Sequence, residues 1–498
     1  MSETVRDWGQ FWTPDWIADA MVEYVAAGLG REREFLCLFD PCVGSGSFYE
    51  ASKRIERERG GRIRFSGVEI DEQVLGEWVK REGGIKVGDF LWEDISASSL
   101  EGIVGNPPYV RHHRLSAKVK ERGRSLCESI VGKKLDGRAG LHIYFLVYAL
   151  HLLAKGGRLA FIMPADVCEG KFASDLWEWI SYKYRIDSIL TFKPEASPFP
   201  DVDINPIITF IEHKPAKEKT YYWVECREPG SKHLQRWAGL SFEERGSYSC
   251  HELVICPRDL QEGVRFGISK SPLISGNSKT SRYKLKDFAR VCRGIATGAN
   301  EFFLLNSKQV EMLGVGSEYF QRVIRRTKDI VGDEINFETL DVLDRGGIPT
   351  FLLSIPKGKE RHDLPKNLEL YLRHGEFLGL PMRPLLSRRH PWYQGEVRQP
   401  PAILFTYLGR RRCRFIRNQA QVVPLTTFLC LYPQDNDWSY TEFVWQLLNH
   451  SQTLESLQLV SKSYGGGAIK VEPRSLEELP ILDEVIESII EKQIKYKS

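Results

Sequence analysis

The chain has 498 residues and a formal net charge of +3, with apolar (42%) and charged (27%) fractions of an ordinary soluble protein large enough for two or three domains. That small charge gives no nucleic-acid signal by itself. The ten cysteines form no C-x-x-C pair or Cys/His cluster at metal-ligand spacing, and the most apolar stretch, 141–154, is too short to span a bilayer. A membrane span, a disulfide-stapled secreted domain and a zinc module are disfavoured, so a cytoplasmic protein with no metal and no membrane partner is expected.

Phe11-Trp12-Thr13-Pro14 leads into an amphipathic run with Ile17, Met21, Tyr24 and Val25 at helical spacing. Thr13 as N-cap and Pro14 as first helical residue start that helix. Residues 35–39 read as a buried strand, followed by Asp40-Pro41-Cys42-Val43-Gly44-Ser45-Gly46-Ser47-Phe48 and a helix over 49–59. A strand, a glycine turn and a helix let a ligand approach the backbone at Gly44 and Gly46 and meet the helix N-terminus. The turn is not a dinucleotide fingerprint, because Tyr49 stands where the third glycine would fall, nor a P-loop, because no Gly-Lys-Ser/Thr follows. Asp40 at the strand end favours a cationic or amino-bearing ligand over phosphate.

A second strand, 64–71, ends in Glu69-Ile70-Asp71, where a carboxylate suits a ribose diol. A third, 85–90, carries Asp89 at its tip and Phe90 beside it, a hydrogen-bond acceptor and an apolar wall for an adenine. Acids at the C-terminal ends of three parallel-type strands fit one crevice at a topological switch point, which reads as a nucleoside site without phosphate.

The run 103–105 then ends in Asn106-Pro107-Pro108-Tyr109. Two prolines forbid helix and remove two donors, so the turn is stiff and its carbonyls are free. An amide oxygen, a free carbonyl and an aromatic ring together suit a planar amino group. The following loop, 110–138, is strongly basic, with Arg111 and Arg114 nearest the turn, and phosphate contact is expected there. His112 and His113 belong to that wet loop and are not read as bases. A helix over 141–154 stops at Gly156-Gly157 before a strand at 158–164, and strands at 184–192 and 204–213 complete the sheet. The loop between them holds Phe199 between two prolines, expected to be an exposed stacking surface.

Three further segments follow: a sheet edge and connector (214–279), a second globular region (280–480) and a C-terminal helix (481–498). The second region carries Arg293-Gly294-Ile295-Ala296-Thr297-Gly298-Ala299-Asn300, a segment from Lys462 to Lys470 with three glycines, and basic residues interleaved with aromatics at 388–393 and 410–417.

Residues 11–213 resemble the catalytic domain of the gamma-class DNA adenine-N6 methyltransferases of type II restriction-modification systems. The motifs that carry the resemblance are Phe11–Pro14, Asp40–Phe48, Gly67–Asp71, Gly88–Phe90, Asn106–Tyr109 and Pro198–Pro200, in that order. It implies a class I methyltransferase fold, Rossmann-like with a mostly parallel seven-stranded sheet, followed by a mixed α/β target-recognition domain. It also implies S-adenosyl-L-methionine as cofactor, held by Thr13, Asp40, Gly44, Gly46, Glu69, Ile70, Asp89, Phe90 and Asn106. Catalysis then falls to Asn106 and the Pro107 carbonyl as acceptors, with Tyr109 and Phe199 holding the flipped adenine. Double-stranded DNA is the implied partner, contacted by Arg111, Arg114, Arg293, Thr297, Lys462 and Lys470. A separate cognate restriction endonuclease is compatible with the resemblance, since the sequence shows no nuclease pattern. Two alternatives share the Asn-Pro-Pro-Tyr chemistry: glutamine-N5 methylation of protein and adenine-N6 methylation of RNA.

Overall fold

A computed structural model of the chain describes residues 11–28, 35–76, 79, 83–134, 139–169, 172–200, 202, 204–215, 219–272, 281–406, 408–409, 414–435, 437–464 and 468–497. Its contacts divide it into two units, 1–272 with 463–467 and 273–462 with 468–498.

The first unit is built on a nine-stranded sheet. Its strands are β1 (Phe35–Asp40), β2 (Arg62–Glu69), β3 (Ile85–Val87), β4 (Leu100–Gly105), β5 (Leu153–Pro164), β6 (Arg185–Phe192), β7 (Pro206–Glu212), β8 (Thr220–Cys226) and β9 (Leu253–Asp259). Their order is β3-β2-β1-β4-β5-β7-β6-β8-β9. Strands β1 to β5 pair in parallel, β7 runs antiparallel between β5 and β6, and β9 is antiparallel to β8. Seven strands were implied; β8 and β9 lengthen the sheet to nine, so the segment expected as edge and connector supplies two full strands.

Helices cover both faces, as a parallel sheet requires. The helices α1 (Asp15–Gly28) and α2 (Ser47–Arg59) bury Ile17, Met21, Val25 and Phe48 on one face. On the other lies α4 (Leu141–Leu152), buried almost all round, with α5 (Ala173–Lys183) beside it. Helix α4 stops two residues earlier than its apolar run suggests. Leu153 already pairs with Leu100, and residues 154–157 bulge before Arg158 meets Gly102, a detour that Gly156 makes at φ 78°. The basic segment after residue 110, read as a loop, contains α3 (Ala117–Val131), with Ser116 accepting from Val119 N at its start and left-handed Gly132 at its end.

A buried ion network pins β6 to its neighbours. The Asp187 carboxylate accepts from the Tyr24 hydroxyl at 2.7 Å, Arg185 at 2.5 Å and Arg245 at 3.2 Å, while Arg185 also bonds Glu212 at 2.6 Å.

The second unit is mixed α/β. A five-stranded sheet orders Ala289–Arg293, Phe428–Pro433, Ile403–Thr406, Phe415–Asn418 and Glu334–Ile335, and a four-stranded one orders Leu304–Leu305, Phe351–Leu353, Phe320–Ile324 and Val423–Pro424. The helices Lys366–Phe377, Trp438–Asn449 and Asp483–Lys497 accompany them. Among the described residues no helix is long and apolar enough to cross a membrane.

Candidate active site

The sheet order reverses beside β1, and the loops leaving β1, β2 and β4 meet there. The β1–α2 turn needs both its glycines in the left-handed region, Gly44 at φ 54° and Gly46 at φ 94°. A Cβ on Gly44 would sit 3.2 Å from the Trp12 ring, so the indole lies directly on the glycine backbone. The turn is fastened to β2 by Val43 N donating to Val68 O at 3.1 Å, and by Gly44 N donating to Glu69 Oε2 at 2.7 Å. Glu69 Oε1 accepts from Asp71 N at 3.0 Å. Each carboxylate oxygen keeps a second lone pair, so the group can still accept from a ligand's diol.

Asp40 is placed differently from the ligand contact implied for it. It is fully buried, does not line the cavity, and spends Oδ1 on Cys42 N at 2.9 Å, holding the turn. Its Oδ2 has no partner; burial, with the nearby Glu69 adding, pushes the carboxyl up to about 8, so it is neutral at pH 7.

Asn106 leaves β4 at the cavity wall. Its Nδ2 donates to Phe11 O at 2.7 Å and to Thr13 Oγ1 at 3.1 Å. A backbone carbonyl only accepts, so this contact fixes which way the amide faces and turns Oδ1 away from both partners. Among the described residues nothing donates to Oδ1 or to the Pro107 carbonyl.

Glu69, the Gly44 turn and Asn106 border one cavity of about 450 Å³, within the usual range for small-molecule sites, and Pro107 is not in its lining. Of the residues expected to hold a cofactor, Thr13, Gly44, Glu69, Ile70, Asp89, Phe90 and Asn106 line it and Gly46 does not; Arg114, expected at DNA, lines it too. Ile70 is 58% exposed, an apolar side chain left uncovered where it faces the space. Asp89 caps the turn into Phe90 through Oδ1 and Leu91 N at 3.1 Å, and burial raises its pKa. Phe90 is held from behind by Phe145 and Tyr148, ring centres 5.1 and 4.9 Å away. Sequence reasoning missed Trp12, Leu115, Val119 and Phe145 in this lining. Only Trp12 had a signal, lying inside a quoted motif.

Tyr109 and Phe199 are brought together, but neither lines the cavity nor is exposed. Phe199, expected as a free stacking surface, is 5% exposed. The reason is a third ring. Phe11 sits 5.3 Å from Tyr109 and 5.7 Å from Phe199, centre to centre, and the prolines fold Phe199 onto it. The Tyr109 hydroxyl donates to Ile162 O at 3.2 Å, which aims the ring.

Of the residues expected to contact DNA, Arg111 and Arg114 are exposed beside this site. In the second unit, Arg293 and Lys470 converge on one carboxylate, Glu472, whose pKa their hydrogen bonds and charge lower despite its burial. Thr297 is a correction: it is buried, with its hydroxyl donating to Asn300 at 2.5 Å and accepting from Ala299 N at 3.2 Å, a turn cap rather than a surface contact. Lys462 is described only in its backbone, and the three glycines at 465–467 and residues 410–413 of the basic cluster lie outside the described residues.

Two family profiles match the chain, "Eco57I restriction-modification methylase" over residues 89–199 and "Type II methyltransferase M.Eco57I, C-terminal domain" over 273–497. Type II methyltransferase M.AccI of Acinetobacter calcoaceticus is 25% identical, across 96% of this chain and 86% of its own length. Type II methyltransferase M.XamI of Xanthomonas campestris pv. amaranthicola is also 25% identical, across 95% and 85%. Among solved structures, the type IIG restriction endonuclease BpuSI aligns with a TM-score of 0.50 at 15% identity, over 97% of this chain and 61% of that one. The type IIL restriction-modification enzyme MmeI, in complex with DNA, aligns at 0.55 and 15%, over 93% and 64%. The chain therefore spans less than two thirds of either solved protein, and that likeness concerns the fold. Profiles on both halves and relatives matched nearly end to end agree with the sheet order, and along its length the chain is similar to the type II restriction-modification DNA methyltransferases.

Proposed function

We propose that this chain transfers a methyl group from S-adenosyl-L-methionine to the N6 atom of an adenine flipped out of a short DNA recognition sequence. The observation that carries this reading is the orientation of Asn106, with Nδ2 bound to Phe11 O and Thr13 Oγ1, Oδ1 left as an acceptor, and the carbonyl of the following Pro107 unbonded.

An exocyclic amine has its lone pair delocalised into the ring. Two acceptors on its hydrogens favour the pyramidal, electron-rich nitrogen of the transition state, and fixed dipoles stabilise that state without reorganising. Glutamine amides and adenine both carry such a group, so the acceptors alone do not choose the substrate; the likeness to type II methyltransferases favours DNA. The cofactor, when bound, supplies an electrophilic methyl on a sulfonium. The residues present fit it: Glu69 for the ribose hydroxyls, Asp89 and Phe90 with Ile70 for the adenine, and the backbone of the Gly44 turn for the amino-acid end. Attack must be in line, so the stiffness of the Asn106-Pro107-Pro108 turn contributes by positioning. A base within a duplex cannot reach such a pocket, which is why flipping belongs to the proposal. For Tyr109 and Phe199 to hold the extruded ring, the Phe11 side chain packed against both would have to turn aside.

The test offers the purified full chain methyl-labelled cofactor with duplex DNA, RNA or a protein extract. Label in DNA, recovered as N6-methyl-2′-deoxyadenosine on nucleoside digestion, is the expected result. Label in RNA or protein alone, or as N4-methylcytosine, overturns it.

A further inference from the structure

In the five-stranded sheet of the second unit, Ala289–Arg293 and Phe428–Pro433 pair antiparallel with Cys292 directly opposite Cys430. Directly opposed residues in an antiparallel pair have Cα atoms about 4.5 or 5.5 Å apart, and both spacings fall within the range a disulfide spans. Both thiols are free in this structure, Cys292 half-buried and Cys430 buried. Arg398 donates from Nη1 to Cys292 Sγ at 3.0 Å. We infer that Cys292 and Cys430 form a hydroperoxide-reactive modification site, with Cys292 the attacking thiol and Cys430 the resolving one.

The surroundings separate the two roles. The hydrogen bond from Cys430, with the charges of Arg398 and Arg290, brings the Cys292 thiol down to about 6, against burial and the opposing charge of Glu396. The same hydrogen bond and burial push Cys430 up, so its proton stays on and points at Cys292. The charged and titratable groups facing the pair are Arg398 and its ion-pair partner Glu396, Arg290, and Tyr432, over whose ring Arg290 lies at 5.0 Å. Cys292 is therefore the more acidic thiol of the pair and partly reachable from solvent, while Cys430 is shielded.

The chemistry closes without a metal. The Cys292 thiolate attacks the peroxide's distal oxygen, the O–O bond breaks, and hydroxide or alkoxide leaves, giving a sulfenic acid. Cys430 sulfur then attacks Cys292 sulfur; the S–S bond forms, the S–O bond breaks, and the Cys430 proton leaves with the departing oxygen as water. The net change is two thiols and one hydroperoxide to one disulfide, one water and one alcohol, or two waters when the oxidant is hydrogen peroxide.

The test treats the intact chain with hydrogen peroxide under argon, quenches with an alkylating agent and maps peptides by mass spectrometry. A non-reduced peptide joining 292 to 430, lost on reduction, is expected at peroxide concentrations that leave the other described thiols alkylated. Cys430→Ser should trap Cys292 as a dimedone adduct, and Cys292→Ser should give neither product. Alkylation of Cys292 followed against pH should rise through about 6 in the untreated protein, a readout a merely buried cysteine would not give. Arg398→Lys should keep the chain folded and move that midpoint upward. Random oxidation across the cysteines, or a Cys292 midpoint in the ordinary thiol range, would overturn the assignment.

Discussion

Asp40→Asn should gain stability in the first unit relative to the wild type as pH rises. The wild-type carboxyl is fully buried with one unpartnered oxygen, and its pKa stands at about 8 against an ordinary 3.8. A folded-state pKa raised above the unfolded one means that stability is fully present below the unfolded value and is lost as pH rises toward the folded one. Between about pH 4 and pH 8 unfolding releases one proton from this group, costing about 1.4 kcal/mol of stability per pH unit, or about 4 kcal/mol by pH 7. Asparagine has nearly the same shape, keeps an oxygen for Cys42 N and does not titrate. Its amide leaves a donor unsatisfied beside Glu69, a roughly constant cost of about 1–3 kcal/mol that shifts the offset but not the slope. The assay is urea unfolding of both proteins at several pH values, read by pulsed hydrogen exchange on peptides from β1 and β4 so that the first unit is followed separately. A variant-minus-wild-type difference that climbs by about one kcal/mol or more per pH unit from 5 to 7 is expected. A flat difference would refute the buried neutral acid.

Other outcomes follow from the same contacts. Asp187→Ala should cost about 3–5 kcal/mol in urea unfolding, because it strands the fully buried Arg245 and leaves Arg185 only Glu212 of its two carboxylates. Burial works against that carboxylate, but Arg245, Arg185 and Arg158 hold its pKa below the ordinary value, so its contribution is present above about pH 4 and lost as pH falls through the lower folded pKa; acid unfolding midpoints should report this. Glu69→Gln loses the charge-assisted bonds from Gly44 and Asp71 and should weaken cofactor binding by about tenfold or more in calorimetry, with DNA affinity little changed. Tyr109→Phe removes only the bond to Ile162 O, for about 1 kcal/mol of stability, and should leave most turnover, whereas Tyr109→Ala should lose it; equal losses in steady-state kinetics would argue against a role for the ring.

Much of the first unit was legible because its motifs are backbone constraints. Gly44 and Gly46 occupy conformations other residues avoid, Pro107 and Pro108 fix their turn, and Glu69 and Asp89 mark strand ends that converge wherever the strands are parallel. What the sequence hid are contacts between distant segments. Nothing near Asn106 reveals that Phe11 O, 95 positions away, orients its amide, or that the Phe11 ring buries Phe199. The reading of Phe199 as exposed followed from its prolines, a local argument that a tertiary contact overrode. Helix α3 was missed for a different reason: the caps Ser116 and Gly132 were visible, but the run of charge between them was read as a loop. In the second unit, local patterns said least. Thr297 is spent on its own turn, and the cations at 293 and 470 meet at Glu472 across a long stretch of chain.

The central claim is that Asn106 presents acceptors to the amino group of an adenine in DNA. Single-molecule sequencing of DNA from cells expressing the chain, beside cells expressing Asn106→Ala, tests it most directly. N6-methyladenine confined to one short sequence context with the wild-type chain, and absent with the variant, is the predicted result. The same methylation in both samples would contradict the role of Asn106, and no N6-methyladenine in either, from protein that binds the cofactor, would contradict DNA adenine as the substrate.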